Sequence, residues 1–223
     1  MIRNGLAIFD IDGTLFPGAD ATIAAVKQAL DQLGLPQPDE AEIIFLVGKP
    51  VSEMHAWLRS RFPANSANRL VSLVDRYELE SVSAVAEPYP GIVDSLAEIR
   101  RFASEMAICT NGPGPYVERV LNAHDLGHFF DYVRFHRAAN DTKTRMVREI
   151  LDRSPARPAV VVGDRLDDVQ AAHASNLVAV AVNYGYGSAR ELSAADVTVA
   201  AATELPAVLR SLLSPDQGDQ GVW

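Results

Sequence analysis

The segment AIFDIDGTLF, residues 7–16, begins as an apolar strand and runs directly into two aspartates separated by one isoleucine. Side chains two positions apart on a strand point to the same face of the sheet, so this pattern predicts that Asp10 and Asp12 share one space. Two carboxylates held that close repel each other unless a cation or a proton relieves the charge. The segment therefore predicts a site at the end of the first strand that needs a positively charged partner.

The composition is typical of a folded protein, since 48% of the 223 residues are hydrophobic and 22% are charged. The net charge of −9 argues against a nucleic-acid partner, which requires a basic face. Cys109 is the only cysteine, so no internal disulfide is expected, and its predicted role is packing within a strand. No apolar run is long enough for a membrane helix or a signal peptide. These features predict a soluble cytoplasmic protein without a membrane partner.

Short β-branched runs alternate with amphipathic helical patterns over much of the chain, which predicts an α/β fold with a buried parallel sheet, a Rossmann-like three-layer core. The predicted strands are residues 6–12, 106–111, 132–135, 159–164 and 178–183.

One long segment interrupts this alternation, because residues 17–88 show helical patterns without a convincing strand. Its flanks are rich in proline and glycine, as expected of hinges. We therefore predict an inserted all-helical cap domain at 17–88, a catalytic core formed by 1–16 and 89–213, and a flexible tail at 214–223.

Polar residues follow four of the predicted strands at the point where each strand ends, and in a parallel sheet these points meet at one edge. They are Asp10, Asp12, Thr110, Asn111, Lys143, Asp164, Asp167 and Asp168. Carboxylates suit Mg2+, and an ammonium suits a phosphate group. The combination is typical of phosphoryl transfer, where the repulsion between a carboxylate and a phosphate dianion must be cancelled.

The motifs DIDGT, CTNG, Lys143 and GDRLDD, in this order, resemble the four motifs of the haloacid dehalogenase-like superfamily. The helical segment after the first motif is similar to the helical cap of that superfamily. The resemblance extends over residues 6 to about 210, and it is greatest to the phosphoglycolate phosphatase-like branch.

The resemblance implies a nucleophile at Asp10 and a general acid and base at Asp12. It implies that Mg2+ binds the Asp10 and Asp164 side chains and the backbone carbonyl of Asp12, with Asp168 orienting metal-bound waters in the outer shell. Substrate phosphate would be held by Thr110, Asn111 and Lys143. Many relatives have a Lys-Pro pair at the third motif, whereas Thr144 follows the lysine here, so Arg145 is an alternative phosphate ligand.

The function implied is a Mg2+-dependent phosphatase that hydrolyses a small phosphorylated metabolite through an aspartyl-phosphate, acting as a monomer or a homodimer. An acid at Asp12 favours phosphate esters over the dehalogenase and phosphonatase branches. Phosphoglycolate, sugar phosphates and nucleotide monophosphates are candidate substrates, and Lys49 is a candidate specificity residue in the cap. The alternatives are a phosphomutase and a catalytically silent phosphate-binding or regulatory protein. A phospho-aspartate receiver is disfavoured by the long helical insertion.

Overall fold

The computed structural model describes residues 3–85, 87–138 and 140–214, so most of the predicted tail lies outside the described residues. Within these ranges, six strands form one sheet: β1 (Leu6–Phe9), β2 (Glu105–Pro113), β3 (Tyr132–His136), β4 (Ala159–Gly163), β5 (Val178–Val182) and β6 (Val197–Val199). The α-helices of the described residues connect and cover them: α1 (Gly18–Leu33), α2 (Glu40–Ile44), α3 (Val51–Arg61), α4 (Ala64–Val85), α5 (Ile92–Ile99), α6 (Gly114–Ala123), α7 (Lys143–Arg153), α8 (Leu166–His173), α9 (Ala189–Leu192) and α10 (Leu205–Leu213). Among the described residues, no helix is both long and apolar enough to cross a bilayer.

The sheet is parallel throughout, with the strand order β3-β2-β1-β4-β5-β6. Because β1 pairs with β2 on one side and β4 on the other, the chain leaves the centre of the sheet in both directions. Such a point creates a crevice beyond the carboxyl ends of the central strands, where α/β proteins bind their ligands. The predicted α/β fold with a parallel sheet is confirmed.

Alternate side chains of β1 enter two different cores, which makes the sheet the middle of three layers. Ala7 and Phe9 lie in a cluster with the apolar faces of α5 and α10. Leu6 and Ile8 lie in a second cluster with α7 and α8. All four side chains are fully buried, as expected of a central strand covered on both faces.

The segment between β1 and α5 is helical, and α1 to α4 enclose a third apolar core of their own. The apolar side chains of α1 pack in this core. Gly34 follows the last residue of α1, and its φ of +63° closes the helix in the left-handed conformation. The principal partner of α1 in this core is α4.

The structure differs from the predicted elements in two strands. β1 ends at Phe9 instead of residue 12, because the chain then turns around the carbonyl of Ile11, which accepts hydrogen bonds from the N–H groups of Leu15 and Phe16. β6 was not predicted, because three residues at a sheet edge show too little alternation to be recognised. Asn176, which follows α8, adopts the left-handed conformation with a φ of +56°.

Candidate active site

Asp10 lies one residue beyond β1, where its backbone N–H still donates to the carbonyl of Val162 on β4, at 2.9 Å. The turn that follows contains Gly13, with φ +82°, and a Cβ at this position would lie 2.1 Å from Asp164 Oδ2. A glycine is therefore required both by the backbone conformation and by the space. The turn brings the end of β1 against the end of β4.

Three carboxylates and one ammonium meet at this edge, and we refer to Asp10, Lys143, Asp164 and Asp168 as the active-site cluster. The carboxylates offer oxygens that all lie within 4.8 Å of one another. Lys143 Nζ lies 2.9 Å from Asp10 Oδ1 and 2.9 Å from Asp168 Oδ1. All four side chains are buried, and their formal charges sum to −2 when each is ionised.

The charge imbalance is reflected in the pKa values of the cluster. Burial and the charge of Asp10 raise the pKa of Asp164 to about 7. Burial also raises the pKa of Asp10, against the opposing attraction of Lys143. For Lys143, burial lowers the pKa, but the charges of Asp10 and Asp168 outweigh it, and the pKa lies well above its ordinary value. The lysine stays charged, and one ammonium is too little for three carboxylates.

The cluster fits a divalent cation. Asp10 Oδ2 is buried and has no hydrogen-bond partner among the described residues, which is costly for a carboxylate oxygen. Carboxylate oxygens are the ligands that Mg2+ takes from proteins, and two positive charges would offset the formal excess of −2. The donor set and the charge therefore both suit magnesium.

Helix starts place two members of this cluster. Lys143 is the first residue of α7, and the preceding Thr142 caps the helix by accepting a hydrogen bond from the N–H of Arg145, at 3.2 Å. Asp168 lies in the first turn of α8, where its Oδ2 accepts the backbone N–H of Arg165, at 3.0 Å. The side chain of Arg145 is half exposed and pairs with Glu149, so the cation in the cluster is Lys143.

Asp12 is turned toward a different partner. The hydroxyl of Tyr116, on α6, donates to Asp12 Oδ1 at 2.5 Å. A Cβ on Gly18 would lie 2.0 Å from the same oxygen, so only glycine at that position leaves room for the carboxylate. Asp12 lies in the turn after β1 instead of on a strand that continues to residue 12, while the charge of Asp10 still acts on its carboxyl group.

Burial raises the pKa of Asp12 well above its ordinary value, and the hydrogen bond from Tyr116 only partly opposes this effect. The charges of Asp10 and Glu78 raise the pKa further. A carboxyl group in this setting retains its proton more readily than an exposed aspartate, which suits a general acid.

A cavity of about 50 Å³ lies beside Asp12, between the sheet edge and the helical segment. Asp12 and Tyr116 line it from the core, and Lys49, Asp75 and Glu78 are its charged residues from the helical segment. Glu78 Oε1 accepts a hydrogen bond from Thr22 at 2.6 Å. Burial raises the pKa of Glu78 above its ordinary value, while the Thr22 hydroxyl opposes the shift.

The two polar residues at the end of β2 have partners within the protein. Thr110 is buried, and its hydroxyl accepts the N–H of Gly112 at 3.2 Å. The Asn111 amide donates to the Gly48 carbonyl at 3.0 Å and to Asp167 Oδ2 at 2.7 Å. Asn111 thus joins the helical segment to the core, and its predicted contact with phosphate stays a prediction.

Sequence reasoning missed three side chains of this region. Thr14 is the first, and its hydroxyl donates to Asp164 Oδ1 at 3.3 Å. Tyr116 could have been suspected, because it follows the CTNG motif within one helical turn of a strand end. No sequence signal marks Glu78, because its approach to Asp12 depends on how α4 packs.

A model of the haloacid dehalogenase-like hydrolase family matches residues 7–182, which include Asp10, Lys143, Asp164 and Asp168. This chain belongs to that family. The predicted resemblance is confirmed, and so is the expectation of an enzyme of the hydrolase class.

Three proteins are similar to this chain over most of its length. A phosphoglycolate phosphatase of Shigella boydii is 30% identical over 217 residues, covering 85% of this chain and 86% of that protein. The tyrosine-protein kinase PtkA of Mycobacterium tuberculosis is 29% identical over 200 residues, covering 87% of this chain and 67% of that protein. The structure of a haloacid dehalogenase-like family hydrolase from Streptococcus pneumoniae superposes with a TM-score of 0.81 at 20% identity, covering 92% of this chain and 98% of that chain.

Proposed function

We propose that the protein is a Mg2+-dependent phosphatase that hydrolyses a small phosphate monoester through an aspartyl-phosphate on Asp10. The observation that carries this proposal is the active-site cluster, in which Asp10 Oδ2 is buried without a hydrogen-bond partner among the described residues, beside Lys143. Family membership and the similarity to a phosphoglycolate phosphatase support the same reaction class.

Each residue has a distinct part in the proposed reaction. Asp10 attacks phosphorus, and Lys143 neutralises the phosphate oxygens, with Thr110 and Asn111 as further phosphate ligands. Asp12 protonates the leaving alkoxide and then accepts a proton from the water that cleaves the aspartyl-phosphate. The raised pKa of Asp12 supports its part as the acid.

The Asp10 and Asp164 side chains and the Asp12 carbonyl would hold Mg2+, with Asp168 orienting its waters. The ion would reduce the repulsion between the attacking carboxylate and the phosphate. Asp168 also pairs with Lys143 at 2.9 Å, so in this proposal it holds the lysine in position as well.

Residues 17–88 are proposed to form a cap over a core of residues 1–16 and 89–213. A cavity of about 50 Å³ has room for one or two water molecules, so a substrate enters only when the helical segment moves away from the sheet edge. Closure over the bound ester excludes bulk water and favours small metabolites over phosphoproteins as substrates.

The test is Mg2+-dependent hydrolysis of p-nitrophenyl phosphate by the full chain. Asp10→Asn should lower kcat by about 10⁴-fold or more, as expected when a covalent nucleophile is lost. Asp94→Asn, an exposed aspartate on α5, is the matched control, and its kcat should stay within about twofold of wild type, as is usual for a surface substitution.

Removing Mg2+ with EDTA should abolish hydrolysis, and Asp12→Asn should let the phosphoenzyme accumulate.

Hydrolysis that survives in Asp10→Asn would refute the nucleophile. No hydrolysis of any phosphate ester with Mg2+ present would favour a silent phosphate-binding protein. Isomer interconversion of sugar phosphates without phosphate release would favour a phosphomutase.

A further inference from the structure

The cavity beside Asp12 receives the part of the substrate that leaves with the ester oxygen. In the proposed reaction, the bond between phosphorus and the ester oxygen breaks, phosphorus becomes bonded to Asp10, and the oxygen takes its proton from Asp12. The atoms attached to that oxygen must therefore lie against the cavity wall. The chemistry of this wall selects the leaving group, and this inference rests on the proposed function.

Glu78, on α4, lines the same cavity as Asp12 and Tyr116. Its Oε1 accepts a hydrogen bond at 2.6 Å from the hydroxyl of Thr22, which is buried. The carboxylate is therefore fixed in the cavity wall. Within the described residues, no hydrogen bond engages Glu78 Oε2, which leaves an acceptor for a ligand.

The positive charge available to this cavity is directed elsewhere. Lys49 Nζ lies 3.5 Å from the centroid of the Phe45 ring and 3.9 Å from Glu53 Oε2. Neither Phe45 nor Glu53 lines the cavity. Of the two carboxylates that the helical segment contributes to the wall, Asp75 contacts His55 at 2.7 Å, whereas Glu78 forms no salt bridge among the described residues.

A leaving group that carries a carboxylate suits this wall poorly. Its charge would face ionised Glu78 across a small cavity, or Glu78 would have to take up a proton before the substrate could bind. A hydroxyl or an ammonium group would instead donate a hydrogen bond to the carboxylate.

We infer that the substrate's leaving alcohol carries a hydroxyl or ammonium group close to the ester oxygen, and that Glu78 selects it against carboxylate-bearing esters such as phosphoglycolate.

Three two-carbon esters test this inference: O-phosphoethanolamine, 2-hydroxyethyl phosphate and 2-phosphoglycolate. Each has the same CH2 group on the ester oxygen, and they differ in the ammonium, hydroxyl or carboxylate group at the second carbon. Phosphate release at pH 8 with Mg2+ should give a kcat/KM for the first two that exceeds the value for phosphoglycolate by about tenfold or more. Glu78→Gln keeps the shape and the acceptor for Thr22 but removes the charge. The variant should reduce the ratio of the kcat/KM for phosphoethanolamine to the kcat/KM for phosphoglycolate by about fivefold or more.

The matched control is Glu80→Gln, which removes the same charge from an exposed position of the same helix, where Glu80 pairs with Arg76 at 3.7 Å. Its selectivity should equal that of wild type. A wild-type enzyme that prefers phosphoglycolate would overturn the inference, and so would an unchanged ratio in Glu78→Gln. If Glu78→Gln fails to fold, the ratio of the kcat/KM values for phosphoethanolamine and phosphoglycolate in the wild-type enzyme decides whether the inference holds.

Failure of the inference can be told apart from failure of the proposed function. Hydrolysis of p-nitrophenyl phosphate that depends on Asp10, combined with a preference for phosphoglycolate, would leave the phosphatase intact and remove the role of Glu78. Hydrolysis of the aryl ester without measurable turnover of the hydroxyl and ammonium esters would also overturn the inference. Absence of all hydrolysis would instead refute the phosphatase.

Discussion

Two buried ion clusters lie at this end of the fold, and they are built differently. In the first, which we call the Arg134 cluster, Arg134 binds both oxygens of Asp141, at 2.9 and 3.1 Å, and Glu149 at 2.6 Å. Asp141 Oδ2 also accepts the backbone N–H of Arg137. In the active-site cluster, three carboxylates surround one lysine and Asp10 Oδ2 has no hydrogen bond to a described residue.

The pKa values follow this difference. Hydrogen bonds from Arg134 hold the pKa of Asp141 well below its ordinary value, against the opposing effect of burial. In the active-site cluster, burial raises the pKa of Asp10 and Asp164 instead. An ion pair whose groups are all hydrogen-bonded stabilises the fold. A buried cluster with an excess of negative charge is unfavourable, and binding of a positively charged ligand can relieve it. Charge balance, more than burial, therefore distinguishes a structural cluster from a candidate active site.

The largest effect on stability is expected from Lys143→Met, which removes the single ammonium from the active-site cluster. Three buried carboxylates would then face each other uncompensated, and the free energy of unfolding should fall by about 3 to 5 kcal/mol. Urea denaturation would measure it, and Mg2+ should restore part of the loss. Lys49→Met is the matched control, since Lys49 pairs only loosely with Glu53, at 3.9 Å. Equal stability of the two variants would contradict this account of the cluster.

Asp141→Asn should have the next largest effect, because Arg134 would lose the more buried of its two partners, which it binds through both oxygens, while retaining Glu149. We expect the free energy of unfolding to fall by about 2 kcal/mol, with activity per folded molecule unchanged. Glu149→Gln, whose side chain is more exposed, should cost less. A loss of catalysis that exceeds the loss of folded protein would show that the Arg134 cluster is more than structural.

The contribution of Asp141 should depend on pH with a defined sign. Its pKa is lowered in the folded state, so its stabilising effect is present above the unfolded pKa of about 3.9 and is lost as the pH falls further. The difference in unfolding free energy between wild type and Asp141→Asn should therefore narrow between pH 5 and pH 2. Denaturation curves measured across this range would reject the ion pair if the difference stayed constant.

The smallest effect on stability is expected from Asp10→Asn without Mg2+. Removing one of three crowded carboxylates relieves repulsion but weakens the pair with Lys143, so the free energy of unfolding should stay within about 1 kcal/mol of wild type or rise. Thermal unfolding in EDTA would measure it. A destabilisation as large as that of Asp141→Asn would mean that the active-site cluster is balanced after all.

Much of the fold could be predicted because its signals are local. The apolar runs of β1, β4 and β5 mark central strands, and the rule that parallel strands end at one edge places Asp10, Lys143, Asp164 and Asp168 together. The cluster of these four side chains in the structure agrees with that placement. The extent of β1 could not be predicted, because the turn around Ile11 depends on backbone hydrogen bonds that the residue pattern does not show.

The amino-acid sequence by itself determined the α/β fold, the helical insertion and the meeting of acids with a lysine, because periodicity and strand order follow from neighbouring residues. Only the tertiary structure decided that Asp12 turns to Tyr116, that Asn111 binds Gly48, and that Glu78 faces the cavity. The two hydrogen bonds join residues 63 and 104 positions apart, whose approach depends on how whole helices pack. The charge of the cavity beside Asp12 is therefore a property of the folded molecule that no sequence motif indicates.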